Sequence, residues 1–289
     1  MPHFPAGVWP VMLTPLRPDG SIDWDGVDRL TDWYIEAGST GLFAVAQSSE
    51  MFALDDDERL ALARRVVERA AGRVPVVATG TFVRAIEEQA AFIGRLYETG
   101  VRAVTVLSGM LATADEDDAI WRERAEHLLA LTDPIPLTLY ECPAPYHRLI
   151  APELVAWAAR TGRFHLLKET SRSAEAVQAK VDAASGTPLG VYNADATSLL
   201  ASLRGGARGY CGIAANFYPE LVAWLCANFA ADTAIHRDYP VCAKVYQRIA
   251  GVEMLPLSRV STATLTPYDE RVLHALAAQV GRWRERLRG

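Results

Sequence analysis

The sequence predicts an α/β fold, a (β/α)8 TIM barrel with an appended C-terminal helical segment. Short apolar runs alternate eight times with longer helical patterns, which is the repeat of that barrel. The runs are rich in Val, Leu and Ile without strict alternation, as expected of parallel strands covered on both faces. An open doubly wound sheet would carry a glycine-rich phosphate loop after its first strand, and here Thr14-Pro15-Leu16 stands in that place. A chain of 289 residues suits one such barrel. The barrel is expected over residues 1–231 and the helical segment over 232–289.

Strands are expected at Gly7–Leu13, Thr40–Ala46, Val74–Gly80, Ala103–Ser108, Pro136–Cys142, Phe164–Thr170, Pro188–Ala194 and Gly206–Ile213. The first helix, Trp24–Ala37, follows the turn Pro18-Asp19-Gly20, with Asp23 placed to cap it. The second, Asp55–Ala71, opens on Asp55-Asp56-Asp57-Glu58, acidic residues that suit a helix N-terminus. Arg84–Thr99 ends at Gly100, a C-cap residue. Asp115–Leu131, Pro152–Thr161, Ser173–Ala184, Ala196–Arg204 and Pro219–Ala231 complete the series. Two more helices, near Ala234–Ile249 and Tyr268–Leu287, form the appended segment. Thr266-Pro267 suits the N-cap and first turn of the last one.

Composition narrows the function. A net charge of −6 leaves no basic stripe for nucleic acid. The opening Met1-Pro2-His3-Phe4-Pro5 has neither the charged nor the apolar region of a signal peptide. No apolar run approaches the roughly 20 residues of a membrane span. A cytoplasmic protein with no membrane partner is therefore expected. Cys142, Cys211, Cys226 and Cys242 have no CxxC spacing and read as reduced thiols. The six histidines make no HxH or HExxH pattern, so no metal and no cofactor is expected.

In a barrel the C-terminal strand ends carry the chemistry. Lys168 ends the sixth strand, and the chain has only three lysines, the others being Lys180 and Lys244. Lys180 falls within a helix, on its expected solvent face. An amine at the mouth of an apolar strand tends to lose its proton, and a neutral amine attacks carbonyl carbon. Tyr140 ends the neighbouring fifth strand, where its phenol can move protons for that amine, or simply line the barrel. Ser48 and Ser49 end the second strand; hydroxyls and backbone N–H groups there can hold a carboxylate or cap a turn. Glu50 suits a structural role, bonding loop backbone. Asn193 and Asp195 end the seventh strand and can reach substrate hydroxyls, though Asp195 equally suits capping the next helix. Thr170 and Cys211, at the ends of strands six and eight, complete the expected substrate contacts.

With these residues the chain resembles the dihydrodipicolinate synthase / N-acetylneuraminate lyase family of Schiff-base aldolases. The opening Gly7…Thr14-Pro15…Asp19-Gly20-Ser21-Ile22-Asp23 is similar to that family's. Its Tyr-Asn-x-Pro strand end reads Tyr140-Glu141-Cys142-Pro143, and its lysine motif reads Lys168-Glu169-Thr170-Ser171. Its strand-eight segment reads Gly209-Tyr210-Cys211-Gly212-Ile213-Ala214-Ala215-Asn216. The resemblance implies an imine between Lys168 and the keto carbon of pyruvate or another 2-oxo acid. It also implies a proton shuttle at Tyr140, a carboxylate site after strand two, and a homo-oligomer, dimer or tetramer.

The chain also departs from that pattern. The family loop Gly-Ser/Thr-Ser/Thr-Gly-Glu reads Ala46-Gln47-Ser48-Ser49-Glu50. The tyrosine pair of the synthases after strand four aligns with Met110 and Leu111. The synthases' arginine after the strand-five proline aligns with Pro145, leaving His147 or Arg148 as possible substitutes. The expectation is thus a Schiff-base lyase, aldolase or hydro-lyase acting on a 2-oxo acid. The alternatives are 4-hydroxy-tetrahydrodipicolinate synthase itself and a non-catalytic barrel that binds small acids. A metal-dependent aldolase would need clustered histidines and carboxylates at the strand ends, which the sequence lacks.

Overall fold

A computed structural model describes residues 4–237, 240–258 and 264–286. Strands and helices alternate: β1 (Gly7–Val8), α1 (Trp24–Glu36), β2 (Leu42–Val45), α2 (Asp56–Ala70), β3 (Val76–Thr79) and α3 (Ile86–Tyr97). Then come β4 (Ala103–Leu107), α4 (Ser108–Leu111), α5 (Asp118–Leu131), β5 (Leu137–Tyr140), α6 (Pro152–Arg160) and β6 (Phe164–Glu169). The series ends with α7 (Ala174–Ala183), β7 (Gly190–Asn193), α8 (Leu199–Arg204), β8 (Gly209–Tyr210), α9 (Pro219–Arg237), α10 (Val241–Ile249) and α11 (Pro267–Arg286). All eight strands are parallel, and each pairs with its neighbours in chain order, β1 with β8. A parallel bridge between Val11 and Phe43 joins the first strand region to β2 and closes the ring. The expected (β/α)8 barrel is the observed one.

The strands are shorter than the apolar runs. β1 and β8 keep two residues each, because the flanking backbone turns away to form the loops. The side chains of β2 to β8 are buried throughout, since helices cover the outer face and side chains fill the barrel. The helix signals act where expected. Asp55 and Glu58 make a reciprocal capping box on α2, with oxygen-to-nitrogen distances of 2.8 and 3.0 Å. Asp117 and Ser173 cap α5 and α7. Thr266 accepts from the Asp269 N–H at the start of α11. Asp23 does not cap α1; its carboxylate turns to Arg29 instead, at 3.3 Å.

Two compact units divide the chain, Met1–Ala227 and Asn228–Gly289, with the division falling inside α9. In the second unit, Cys242, Val245 and Leu273 form a small buried cluster of α10 and α11. None of the described helices is long and apolar enough to cross a membrane.

Candidate active site

The strand register brings the expected pair together. Tyr140 and Lys168 are Cα partners across β5 and β6, so both side chains point into the barrel. The Lys168 Nζ lies 3.7 Å from the centre of the Tyr140 ring and 5.8 Å from that of Phe43. Lys168 is buried, and burial holds its ammonium below the ordinary lysine range. Cys211 and Cys142 would oppose that shift only as thiolates. Burial pushes both thiols up, Cys211 to about 11, so near neutral pH they are uncharged and the desolvation of Lys168 prevails. Burial likewise raises the Tyr140 phenol well above its usual value, which keeps it a proton donor at neutral pH. Its hydroxyl donates to Gln47 Oε1 at 3.3 Å.

Lys168 and Tyr140 stand at the floor of a cavity of about 880 Å³ at the C-terminal strand ends. Gln47, His147, Thr170, Ser171, Arg172 and Asp195 line its polar part, and Tyr210, Ile213, Phe217 and Tyr218 its apolar part. Gly212 also borders it. A Cβ there would run into the Ala194 carbonyl, so the chain needs glycine to bring strand eight this close. Asn216 fixes the following turn, donating to Val11 O at 3.0 Å and accepting from Tyr34 Oη at 2.7 Å.

The other expected residues divide into two groups. Thr170 borders the cavity and gives its hydroxyl proton to the Glu141 carbonyl at 2.7 Å. It therefore accepts from His147 Nε2 at 2.9 Å, which assigns the proton to that ring nitrogen. Ser48 is half-buried in a 3-10 turn over Gln47–Ser49, beside Gln47. Ser49 is fully buried, and its hydroxyl accepts from Ala46 N at 3.0 Å while facing the carbonyls of Met12 and Ala44. That hydroxyl holds the turn and does not face the cavity. Glu50 is exposed in the left-handed region, and among the described residues its side chain bonds no loop backbone. Asn193 is fully buried, with its carboxamide tied to Ser198, Ser202 and the Asp195 N–H. Asp195 Oδ2 holds the turn before α8 through Thr197 and Ser198. Cys211 is fully buried.

Arg148 does not serve the cavity. Its guanidinium reaches Thr113 O, Glu116 O and Asp118 Oδ1 at 3.0, 2.9 and 2.6 Å. Met110 and Leu111 are buried in α4.

The largest departure from the sequence pattern is Lys180. It does not face solvent. Its Nζ donates to Glu141 Oε1 at 2.6 Å and Glu169 Oε1 at 2.8 Å, and all three residues are buried. Glu141 and Glu169 follow Tyr140 and Lys168, so strand alternation turns them outward to the helix layer. The α7 lysine neutralises them there. Glu141 also accepts from Ile150 N and Thr170 N, and Glu169 from Ser171 N. The cluster thus clamps the two loops that follow β5 and β6. Burial pushes the Glu141 carboxyl up, Lys180 opposes this, and the like charge of Glu169 reinforces it. Two buried carboxyls thus share one ammonium.

Residues 4–248 match the sequence profile of the dihydrodipicolinate synthetase family. The chain belongs to that family. It is 30% identical over 288 residues to the 4-hydroxy-tetrahydrodipicolinate synthase of Acidithiobacillus ferrooxidans, covering 92% of this chain and 95% of the relative. It is 28% identical over 244 residues to the synthase of Nitrosococcus oceani, covering 82% of each. Among solved structures, the dihydrodipicolinate synthase of Thermotoga maritima superposes with a TM-score of 0.73 at 19% identity, over 96% of this chain and 99% of the other. The prophage protein YagE from E. coli K12, solved in complex with pyruvate, gives 0.71 at 21% identity, over 96% and 98%. At these identities the two structures establish the shared fold. As a member of the family, the chain is an aldolase-type enzyme of the Schiff-base class.

Proposed function

We propose that the protein is a lyase or aldolase that forms an imine between Lys168 and pyruvate or another 2-oxo acid. The observation that supports this most is the buried Lys168 amine against the face of Tyr140, at the floor of the strand-end cavity. In this reading the neutral amine attacks the keto carbon. Tyr140 gives its proton to the carbinolamine oxygen, which leaves as water and yields the iminium. The Tyr140 phenolate then takes a C3 proton to give the enamine, whose carbon attacks an aldehyde or, in reverse, is released from one. Ser48 and the turn around it, with Gln47, supply the carboxylate contacts, and Thr170 positions His147 at the rim. The resemblance further supports a homo-oligomer, dimer or tetramer, working in the cytoplasm without a cofactor.

Condensation of pyruvate with the aldehyde of the synthases is the second reading, supported by the names of the relatives. The burial of Met110 and Leu111 and the diversion of Arg148 weigh against it. Enamine formation can be tested without the second substrate. In D2O the enzyme should exchange the pyruvate methyl protons, seen as loss of the methyl signal by NMR, and Lys168→Ala should abolish the exchange while remaining folded. A folded wild type that exchanges no protons from pyruvate or a panel of other 2-oxo acids would overturn the proposal.

A further inference from the structure

Making or breaking an aldol bond moves protons at two places. At C2 and C3, beside the Lys168 nitrogen, the Tyr140 phenol is in reach. The other place is the oxygen on C4, the former aldehyde oxygen, which lies further along the substrate from the lysine. His147 is the one histidine among the described residues that line the cavity of Lys168 and Tyr140. Its backbone is held on both sides. A Cβ on Gly109 would run into the Tyr146 carbonyl, and the Arg148 carbonyl accepts from Ser108 Oγ at 2.6 Å. Its ring is held as well. The Thr170 N–H donates to Glu141 Oε2 at 3.0 Å, and the Thr170 hydroxyl donates to Glu141 O at 2.7 Å, which fixes Thr170 Oγ1 as an acceptor. His147 Nε2 donates to that oxygen at 2.9 Å. The neutral ring therefore carries its lone pair on Nδ1, a base that becomes an acid once protonated. Two other titratable groups that line the cavity are engaged elsewhere. Asp195 Oδ2 takes the Thr197 and Ser198 hydroxyls and the Ser198 N–H, and Tyr210 Oη takes the Ala214 N–H at 3.0 Å.

We propose that His147 is the acid–base residue for the carbon–carbon step, acting at the C4 oxygen. The proposal rests on the Lys168 imine reading and deepens it. In cleavage, His147 Nδ1 takes the C4 hydroxyl proton and the oxygen becomes the aldehyde carbonyl. The C3–C4 bond breaks, and its electron pair moves toward the iminium nitrogen to give the enamine. In condensation the enamine carbon attacks the aldehyde, and the Nδ1 proton passes to the forming alkoxide. Tyr140 serves the C2 oxygen and the C3 proton. Thr170 and Glu141 are positioning residues, since they hold the imidazole from the loops after β5 and β6.

The test separates the two steps. Methyl-proton exchange of pyruvate in D2O reads the Lys168 and Tyr140 chemistry. Aldol formation from pyruvate with glycolaldehyde, glyceraldehyde or benzaldehyde reads the carbon–carbon step, and the wild type should use at least one of these aldehydes. His147→Ala should lower kcat with it by about 10²–10⁴-fold, the usual worth of general acid–base catalysis, and lower methyl exchange far less. His147 is exposed, so imidazole added to the medium reaches its place and should restore aldol formation by about tenfold or more. His147→Gln keeps an N–H for Thr170 but has no nitrogen that takes a proton, so it should be as slow as His147→Ala. Wild-type rates in His147→Gln, no rescue by imidazole, an equal loss of exchange and aldol formation, or no aldol formation by the wild type with any of the three aldehydes would overturn the proposal. The two claims fall separately: exchange with undiminished aldol formation in His147→Ala removes the role of His147 alone, and no exchange in the wild type removes the imine reading with it.

Discussion

Replacing Lys180 with methionine keeps the length of the side chain and removes the cation that Glu141 and Glu169 share. Burial already pushes the Glu141 carboxyl up and Lys180 opposes that rise, so without Lys180 the folded variant is expected to take up one more carboxyl proton. A carboxyl with an unfolded value of 4.5 takes up a proton at pH 7 at a cost of about 3.4 kcal/mol, from 2.5 units at about 1.36 kcal/mol each. Lost hydrogen bonds to Nζ add to this, so a destabilisation of about 3–5 kcal/mol is expected at pH 7. The sign follows from proton counts. The folded variant holds one more carboxyl proton than the folded wild type, so above pH 4.5 its stability falls faster with pH, by about 1.4 kcal/mol per unit. The penalty should therefore shrink toward pH 5. Urea unfolding of both proteins between pH 5 and 7.5 reads it directly. Adding Glu141→Gln removes the extra proton and should return the pH slope to that of the wild type. A penalty under about 1 kcal/mol, or one that does not change with pH, would refute the reasoning.

Three further outcomes are expected. Ser49→Ala leaves the buried Ala46 N–H without its acceptor and should cost about 1–3 kcal/mol in urea unfolding. Tyr140→Phe removes the proton donor beside Lys168 and should lower kcat by about 10²–10⁴-fold while leaving the protein folded. Because burial lowers the Lys168 ammonium, the rate of imine trapping should level off well below pH 10.5, where an ordinary lysine would still be gaining. The same shift means the folded state holds fewer protons than the unfolded state in that window, so this group's contribution to stability rises with pH there.

Much of the barrel is legible in the sequence because strands buried on both faces must be apolar throughout, and the runs around Phe43, Val77, Val104 and Leu166 stand out for that reason. The pairing of Lys168 with Tyr140 is legible too. Lysine is rare in this chain, and strand adjacency places Tyr140 beside Lys168. The Lys180 cluster was hidden by periodicity, which cannot tell a helix position facing water from one facing two buried carboxylates. The signal was available in Glu141 and Glu169, acidic residues one step beyond inward-facing ones on covered strands, which require a cation opposite. Ser49 and Asn193 carry the right chemistry for substrate, but only the backbone path shows that turns consume it.

The central claim is that Lys168 forms the imine. Incubation with pyruvate and sodium borohydride, followed by peptide mass mapping, tests it most directly. The account predicts a single reduced adduct confined to the peptide that contains Lys168, absent from Lys168→Ala. An adduct on Lys180 or Lys244, or no adduct in folded protein with pyruvate or a panel of other 2-oxo acids, would contradict it.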